Sequence, residues 1–258
     1  MLNTFHRLFT LLLSGALTWI FSSPSLADVD IHDLLAEDKE VVVGYIEFPP
    51  VFFTNDEGKP EGYLIDLARM LMEKKKYSWR AVSRPTRRMA IELADGKIDL
   101  WIGLSTLPEF TDATLVGDSI VARIELNAYW QGDKKVINRV EDLVGESVVL
   151  LHGFSYGGAI SFLRDPVNRI RDCSAFNHAQ AIGMLKVKRC DYLLNYDGPM
   201  RLELKKQPVQ DLHRKRLSSL DARFVVSKKR NHAAMLLNDL ENALHELVAE
   251  GKWFLPPP

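Results

Sequence analysis

Apolar and polar positions follow two different periods along the chain, and their alternation predicts an α/β protein. A β-branched run at residues 41–43 meets the pair Pro49 and Pro50. Two prolines cannot continue a central strand, because each lacks an N–H and fixes φ. Turn-forming residues follow at 55–58, and apolar residues then recur at helical spacing over 64–73. The pattern predicts a strand, a rigid turn, a small hairpin and an amphipathic helix.

The same alternation of strand and helix continues along the chain and favours helices layered on a sheet. Further strands are predicted at residues 77–82, 98–103, 124–130, 148–151, 170–176, 190–195 and 223–227. Helical segments are predicted at residues 84–94, 140–145, 159–163, 177–185, 200–204 and 232–250. In an open α/β sheet the carboxyl ends of the strands form the edge where ligands bind, so residues that follow strands are candidates for a site.

The amino terminus has the three parts of a secretory signal peptide. His6 and Arg7 precede a largely apolar, uncharged stretch at residues 8–21, and a small-x-small motif ends at Ala27. The apolar stretch is short for a membrane span, which favours cleavage after Ala27 over an uncleaved anchor. The sequence therefore predicts export to the periplasm, with a short helix at residues 28–40 before the first strand.

Composition narrows the function further. The chain has 258 residues and a formal net charge of -1, which gives no indication of nucleic acid as a partner. The histidines are scattered, and no Walker-type loop is present, so no catalytic residue, metal or cofactor is predicted. Cys173 and Cys190 could form a disulfide in an exported protein or remain buried thiols, because geometry decides between the two.

Three segments resemble the polar amino-acid type of periplasmic binding protein, extracellular solute-binding family 3. They are GYLIDLA at 62–68, LADGKID at 93–99 and GLSTLPEF at 103–110. The resemblance extends over nearly all of the mature chain. It implies an α/β, two-lobe periplasmic binding protein type II fold, with a mostly parallel sheet flanked by helices in each lobe and a ligand cleft between the lobes.

The resemblance also implies a division of the chain. The signal peptide occupies residues 1–27, the first part of lobe 1 residues 28–130, lobe 2 residues 131–217, and the return of lobe 1 residues 218–258. The polar residues 131–135 would form the first crossover, and the polar, basic residues 212–221 the return crossover. The closing helix would pack back on the first lobe.

Seven residues are candidates for contacting a ligand: Phe48, Arg88, Ser105, Phe110, Ser155, Tyr156 and Asp197. By resemblance, Phe48 would be an aromatic wall, Ser105 would replace the family's pocket threonine, and Asp197 would pair with an α-ammonium group. Ser155 and Tyr156 open a second-lobe helix, where free N–H groups favour a carboxylate. Three of them also have a purely structural alternative: Phe48 as a core Phe, Ser155 as a helix cap and Asp197 as a turn Asp.

One position departs from the family pattern. Amino-acid binders carry an Arg directly after the Thr-Pro-Glu motif, where it makes a bidentate contact with the ligand carboxylate. Phe110 stands there in this chain. Arg88, at the start of the preceding helix, is the predicted substitute, although one of Arg87 and Arg88 is expected to lie on the solvent face. Phe48, Phe52, Phe110 and Tyr156 would make the pocket unusually aromatic.

The expected function is capture of a small polar solute, an amino acid or a related compound, by hinge closure of the cleft. The protein would be a monomer that is not an enzyme, and it would deliver the solute to a membrane permease, as in an ABC transporter, or to a sensor. Two alternatives remain open. One is an enzyme resembling cyclohexadienyl or arogenate dehydratases, with Glu47 or His152 transferring protons. The other is a protein-interaction module that binds no solute.

Overall fold

A computed structural model of the chain describes residues 40–254, and the predicted signal peptide and the helix expected after it lie outside the described residues. The described strands are β1 Val41–Tyr45, β2 Phe53–Thr54, β3 Pro60–Glu61, β4 Trp79–Ser83, β5 Leu100–Gly103, β6 Thr114–Val116, β7 Ala122–Gln131, β8 Ser147–Leu151, β9 Arg171–Ala175, β10 Tyr192–Tyr196 and β11 Leu212–Ser227. The described α-helices are α1 Tyr63–Lys74, α2 Thr86–Ala94, α3 Ile160–Leu163, α4 His178–Lys186, α5 Asp197–Lys206 and α6 Ala233–Ala249.

A mixed sheet runs through both lobes in the order β4-β1-β5-β11-β7-β10-β8-β9, with β6 also paired to β11. In the first lobe β4, β1 and β5 are parallel, and in the second lobe β10, β8 and β9 are parallel. The hairpin β2–β3 stands apart from this sheet. The predicted α/β class and the two-lobe plan are therefore confirmed.

Two antiparallel strands connect the lobes. β7 and β11 pair from Gln131 and Leu212 at one end to Ala122 and Ala222 at the other. β11 then continues past Arg223 to pair with β5 of the first lobe. A single 16-residue strand thus spans the change from one lobe to the other.

The beginning of β11 differs from the sequence-based prediction. Residues 212–221 were expected as a polar crossover before a short final strand, yet they form the first part of that strand. His213, Arg214, Lys215 and Arg216 are all exposed. No apolar face marks this segment locally, because its strand conformation depends on the ladder with β7, a partner far away in sequence.

The predicted lobe boundaries at residues 130/131 and 217/218 stay predictions. The strand pairings change from one lobe to the other at different residues. β7 pairs with β10 of the second lobe from Leu126 to Trp130, and β11 changes its partner from β7 to β5 between Ala222 and Arg223.

The cores explain why these segments form helices. On α1 the positions Leu64, Leu67, Leu71 and Met72 are fully buried, as their helical spacing predicts. α6 packs against α1, and Lys74 of α1 contacts Glu250 at 2.6 Å beyond the end of α6. The expectation that the closing helix packs on the first lobe agrees with this contact. No helix within residues 40–254 is both long and apolar enough to cross a bilayer.

Cys173 and Cys190 form a disulfide in the second lobe, which resolves the alternative that the sequence left open. Cys173 lies on the edge strand β9, and Cys190 lies just before β10. Their Cα atoms are 6.5 Å apart, within the usual range for a disulfide.

Candidate functional site

The carboxyl ends of parallel strands from both lobes meet at one cleft. The chain leaves β1 toward Phe48, β5 toward Leu104, β8 toward Phe154 and β10 at Tyr196. These residues line a small pocket with a free volume of about 40 Å³, here called the apolar pocket. Its lining is Ile46, Phe48, Phe52, Thr86, Trp101, Gly103, Leu104, Leu107, Ile124, Phe154, Ser155 and Tyr196.

Aromatic rings fill the centre of the apolar pocket. The Phe48 ring meets the ring of Tyr196 edge to face, with centroids 5.1 Å apart, and lies 6.1 Å from the ring of Phe154. Phe52 stacks on Trp101 at 5.3 Å. Since Phe48 comes from the first lobe and Phe154 and Tyr196 from the second, these contacts join the lobes through apolar surface.

His178 supports this aromatic cluster from α4. Its ring lies 5.7 Å from the rings of both Phe48 and Phe154. Its Nδ1 is 2.8 Å from Oδ1 of Asn195, which also accepts a hydrogen bond from the backbone N–H of Tyr196. Nδ1 must therefore carry the proton, and Nε2 is a buried acceptor with no partner. Burial lowers the pKa of His178 to about 4, so its imidazole is neutral near pH 7.

A second, larger pocket adjoins the first across Phe48 and Ile124, which line both. Its free volume is about 450 Å³, and it is here called the charged pocket. Its lining is Phe48, Pro50, Val51, Tyr63, Arg123, Ile124, Glu125, Asp197, Gly198 and Arg201. Arg123 and Glu125 project from the connecting strand β7, whereas Asp197 and Arg201 lie on one face of α5 at i and i+4.

Both carboxylates of the charged pocket are paired with arginines. Oδ2 of Asp197 accepts from Nε of Arg201 at 2.9 Å, and Oδ1 accepts from Nη1 of Arg214 on β11 at 2.7 Å. Oε1 of Glu125 lies 3.1 Å from Nη1 of Arg216. Of these arginines Arg201 lines the charged pocket, as Arg123 does, whereas Arg214 and Arg216 pair with its acids from β11.

Three of the seven candidate residues line these pockets. Phe48 lines both, Ser155 lines the apolar pocket, and Asp197 lines the charged pocket. Ser105 lines neither, although it lies half-buried in the loop that also carries the apolar-pocket residues Leu104 and Leu107.

The other three candidates lie outside both pockets. Nε of Arg88 contacts Glu92 at 2.6 Å, and the Arg88 side chain is 66 % exposed. Phe110 is buried in the hydrophobic core. Tyr156 stacks in parallel behind Tyr196, with ring centroids 5.8 Å apart, and its hydroxyl accepts a hydrogen bond from the N–H of Leu151.

Sequence reasoning did not single out several residues that line the pockets. Phe154 and Tyr196 each adjoin a residue that was chosen, and each follows or ends a predicted strand, so the strand-end rule could have identified them. Arg201 lies one helical turn after Asp197, a spacing that indicates an ion pair. No local signal marks Trp101 or Arg123, whose positions depend on how the strands assemble.

Comparison with known proteins gives a family match. Residues 41–254 match the model of a family described as bacterial extracellular solute-binding proteins, family 3. Among curated proteins, none matches the sequence.

Several solved structures share the fold. An ancestral arginine-binding protein bound to arginine matches with a TM-score of 0.66 and 20% identity, over 83% of this chain and 94% of that one. A histidine kinase sensor domain with similarity to periplasmic binding proteins matches with a TM-score of 0.71 and 20% identity, over 85% and 99%. The substrate-binding protein of an amino acid ABC transporter matches with a TM-score of 0.65 and 18% identity, over 83% and 95%. At these identities the likeness establishes the fold alone.

Proposed function

Because the chain belongs to family 3 of the bacterial extracellular solute-binding proteins, we propose that it captures a small polar solute, an amino acid or a related compound, between its lobes. The observation that carries the proposal is the cleft itself, where strand ends of both lobes supply the pocket walls. The adjoining charged pocket has a free volume of about 450 Å³ and combines an apolar wall with a few charged groups, which is typical of small-molecule sites.

Hinge closure is the proposed mechanism. The lobes already approach each other closely: a Cβ added at Gly198 would lie 3.3 Å from Cδ of Pro50, and one at Gly153 would lie 3.8 Å from Thr86. A ligand that contacts Phe48 on one lobe and Ser155 on the other favours this closed arrangement over an open one. The strands β7 and β11, which connect the lobes, are the proposed hinge.

Export and delivery complete the proposal. The protein would be exported to the periplasm after cleavage at Ala27 and would act as a monomer that docks on a membrane permease or a sensor. A transporter component and a kinase sensor domain among the similar structures support both kinds of partner.

Phe48 and Ser155 are the proposed ligand contacts among the predicted residues, and Asp197 lines the charged pocket with both oxygens paired to arginines. The side chains of Arg88, Phe110 and Tyr156 have structural partners instead, and Ser105 would contribute through its loop.

The two residues that could serve an enzyme lie elsewhere. Glu47 accepts hydrogen bonds from the backbone N–H of Thr54 at 3.0 Å and from Ser83 Oγ at 2.9 Å. His152 is exposed and lies beside Phe176. Neither residue lines the apolar or the charged pocket, which favours binding over turnover as the proposed function. Conversion of a prephenate-like substrate by the purified protein would contradict this preference.

A thermal-shift screen of the purified protein against amino acids, carboxylates, amines and sugars tests the proposal. A ligand present at 100 times its Kd adds about 2.7 kcal/mol to the free energy of unfolding, which raises the Tm by a few degrees. The fluorescence of Trp101, which lines the apolar pocket, should change with the same compound.

A matched pair of variants separates cleft binding from surface effects. Ser155→Ala should weaken the binding of the compound that gives the largest shift, whereas Ser174→Ala, an exposed serine on β9, should not. The absence of any shift across the whole panel would overturn solute capture and favour the protein-interaction alternative.

A further inference from the structure

We propose that the solute is an organic carboxylate with an apolar or aromatic body and no ammonium group beside its carboxylate. This inference rests on the proposed function and names the chemical class that the charged pocket takes. It differs from the expectation that Asp197 receives an α-ammonium group.

The first argument is the state of Asp197. Each of its two carboxylate oxygens already accepts from an arginine, one from Nη1 of Arg214 at 2.7 Å and the other from Nε of Arg201 at 2.9 Å. An ammonium group brought to Asp197 would therefore lie beside two guanidinium groups, and like charges at such short range repel. Asp197 in this arrangement is a positioning residue that holds two arginines.

The second argument is what those arginines present to the solvent. The side chain of Asp197 is only 15 % exposed, whereas those of Arg214 and Arg201 are 61 % and 70 % exposed. A guanidinium has five N–H donors in a planar fork, and one from each arginine binds Asp197 in the contacts above. Arg201 lines the charged pocket, and its remaining donors have the geometry that binds a carboxylate in a bidentate manner.

The third argument is the charge around the pocket. Glu125 contacts Arg216 at 3.1 Å, and Arg123 contacts Asp221 at 3.2 Å. The two remaining acids near the pocket are therefore each paired with an arginine. The pocket lining has two arginines and two acids. Counted with the partners Arg214, Arg216 and Asp221, the ion-pair cluster has four arginines and three acids, a balance that favours an anion over a cation.

The fourth argument concerns the rest of the ligand. Phe48, Pro50, Val51 and Ile124 form an apolar wall of the charged pocket, and Phe48 and Ile124 continue into the apolar pocket. A carboxylate held by Arg201 would therefore have its body against apolar and aromatic surface.

Three probes with one carbon skeleton test the inference by isothermal titration calorimetry at low ionic strength. 3-Phenylpropanoate carries the carboxylate alone, L-phenylalanine adds the ammonium, and 3-phenylpropylamine carries only the ammonium. We expect 3-phenylpropanoate to bind at least ten-fold more tightly than L-phenylalanine, and the amine not to bind. Equal or tighter binding of L-phenylalanine or the amine would overturn the inference.

Two variants and a matched control locate the binding. Arg201→Gln should weaken 3-phenylpropanoate binding ten-fold or more, and Arg214→Gln, which removes one partner of Asp197, should weaken it less. Arg139→Gln, an arginine that is also in exposed ion pairs, should leave it unchanged. The Tm of each variant without ligand shows whether it has folded. A folded Arg201 variant that binds as well as the control would overturn the assignment.

The remaining outcomes separate this inference from the proposed function. If no probe of the set binds but an amino acid or another solute in the wide screen does, the carboxylate class is wrong and solute capture stands. If no small molecule of any class binds, the proposed function falls together with the inference.

Discussion

The apolar pocket and the charged pocket share Phe48 and Ile124, yet they differ in almost every other respect. The apolar pocket is filled by rings from both lobes and has a free volume of about 40 Å³, enough for a few water molecules. The charged pocket has about 450 Å³ and is lined by ion-paired side chains. One cleft thus contains a tightly packed region and a region with room for a ligand.

The contrast indicates a division of roles. Ring contacts in the apolar pocket stabilise the approach of the lobes, because apolar burial is favourable and not directional. The arginines and acids of the charged pocket can supply direction and selectivity, because their hydrogen bonds require a fixed geometry. A ligand would strengthen the apolar contacts by burying its body, and its charge would add hydrogen bonds in the charged pocket.

Phe48→Ala should have the largest effect on stability, since this ring lines both pockets. Phe48 is 4% exposed, and removal of a buried Phe side chain costs about 3–5 kcal/mol in the free energy of unfolding. Urea unfolding measures the loss. Phe176→Ala is the matched control, because Phe176 is 75% exposed and its truncation should change stability by at most about 0.5 kcal/mol. Similar losses for the two variants would show that Phe48 has no central packing role.

The pH dependence of stability tests the burial of the aromatic cluster through His178. Its pKa is about 4 in the folded protein and about 6.5 when unfolded, so the unfolded chain binds more protons between these values. The free energy of unfolding should therefore fall as the pH drops from 6.5 to 4, by up to about 3 kcal/mol.

His178→Gln isolates this contribution, because glutamine does not titrate and the carboxylates are the same in both proteins. Urea midpoints at several pH values should fall more steeply for the unmodified protein than for the variant below pH 6.5. Parallel curves would mean that His178 is protonated with equal ease in the folded and unfolded states.

Arg88→Ala should have the smallest effect on stability and on ligand affinity, and it tests whether the site extends to this residue. Arg88 is mostly exposed, and its partner Glu92 keeps a second contact, with Nε of Arg84 at 2.7 Å. An exposed ion pair contributes at most about 1 kcal/mol, so stability should change little. Calorimetry should give an unchanged Kd for the tightest-binding compound of the screen, as for the control Arg87→Ala. A ten-fold weaker Kd confined to Arg88→Ala would restore it as a ligand contact.

Local sequence determined most of the elements. Helix α1 follows from apolar spacing, and helix α4 begins after Asn177, whose side chain accepts a hydrogen bond from the N–H of Gln180 as a predicted cap would. The strand ends that form the cleft were predictable for the same reason, because short apolar runs followed by Gly or Pro mark them. The position of Phe48 beside the cleft is one result of this local information.

The composition of the charged pocket and the strand conformation at the start of β11 depend on the tertiary structure. Asp197 and Arg214 are 17 residues apart in sequence, and their contact exists because β11 and α5 are brought together by the sheet. The pairing of Cys173 with Cys190 depended in the same way on the placement of β9 and β10. Sequence patterns report each residue's preference for a local conformation and for burial, whereas the charges that neighbour one another across a cleft depend on contacts between distant segments. The sequence by itself therefore determined the elements and the edge of the sheet where a ligand binds, and the assembled fold decided which charges face that ligand.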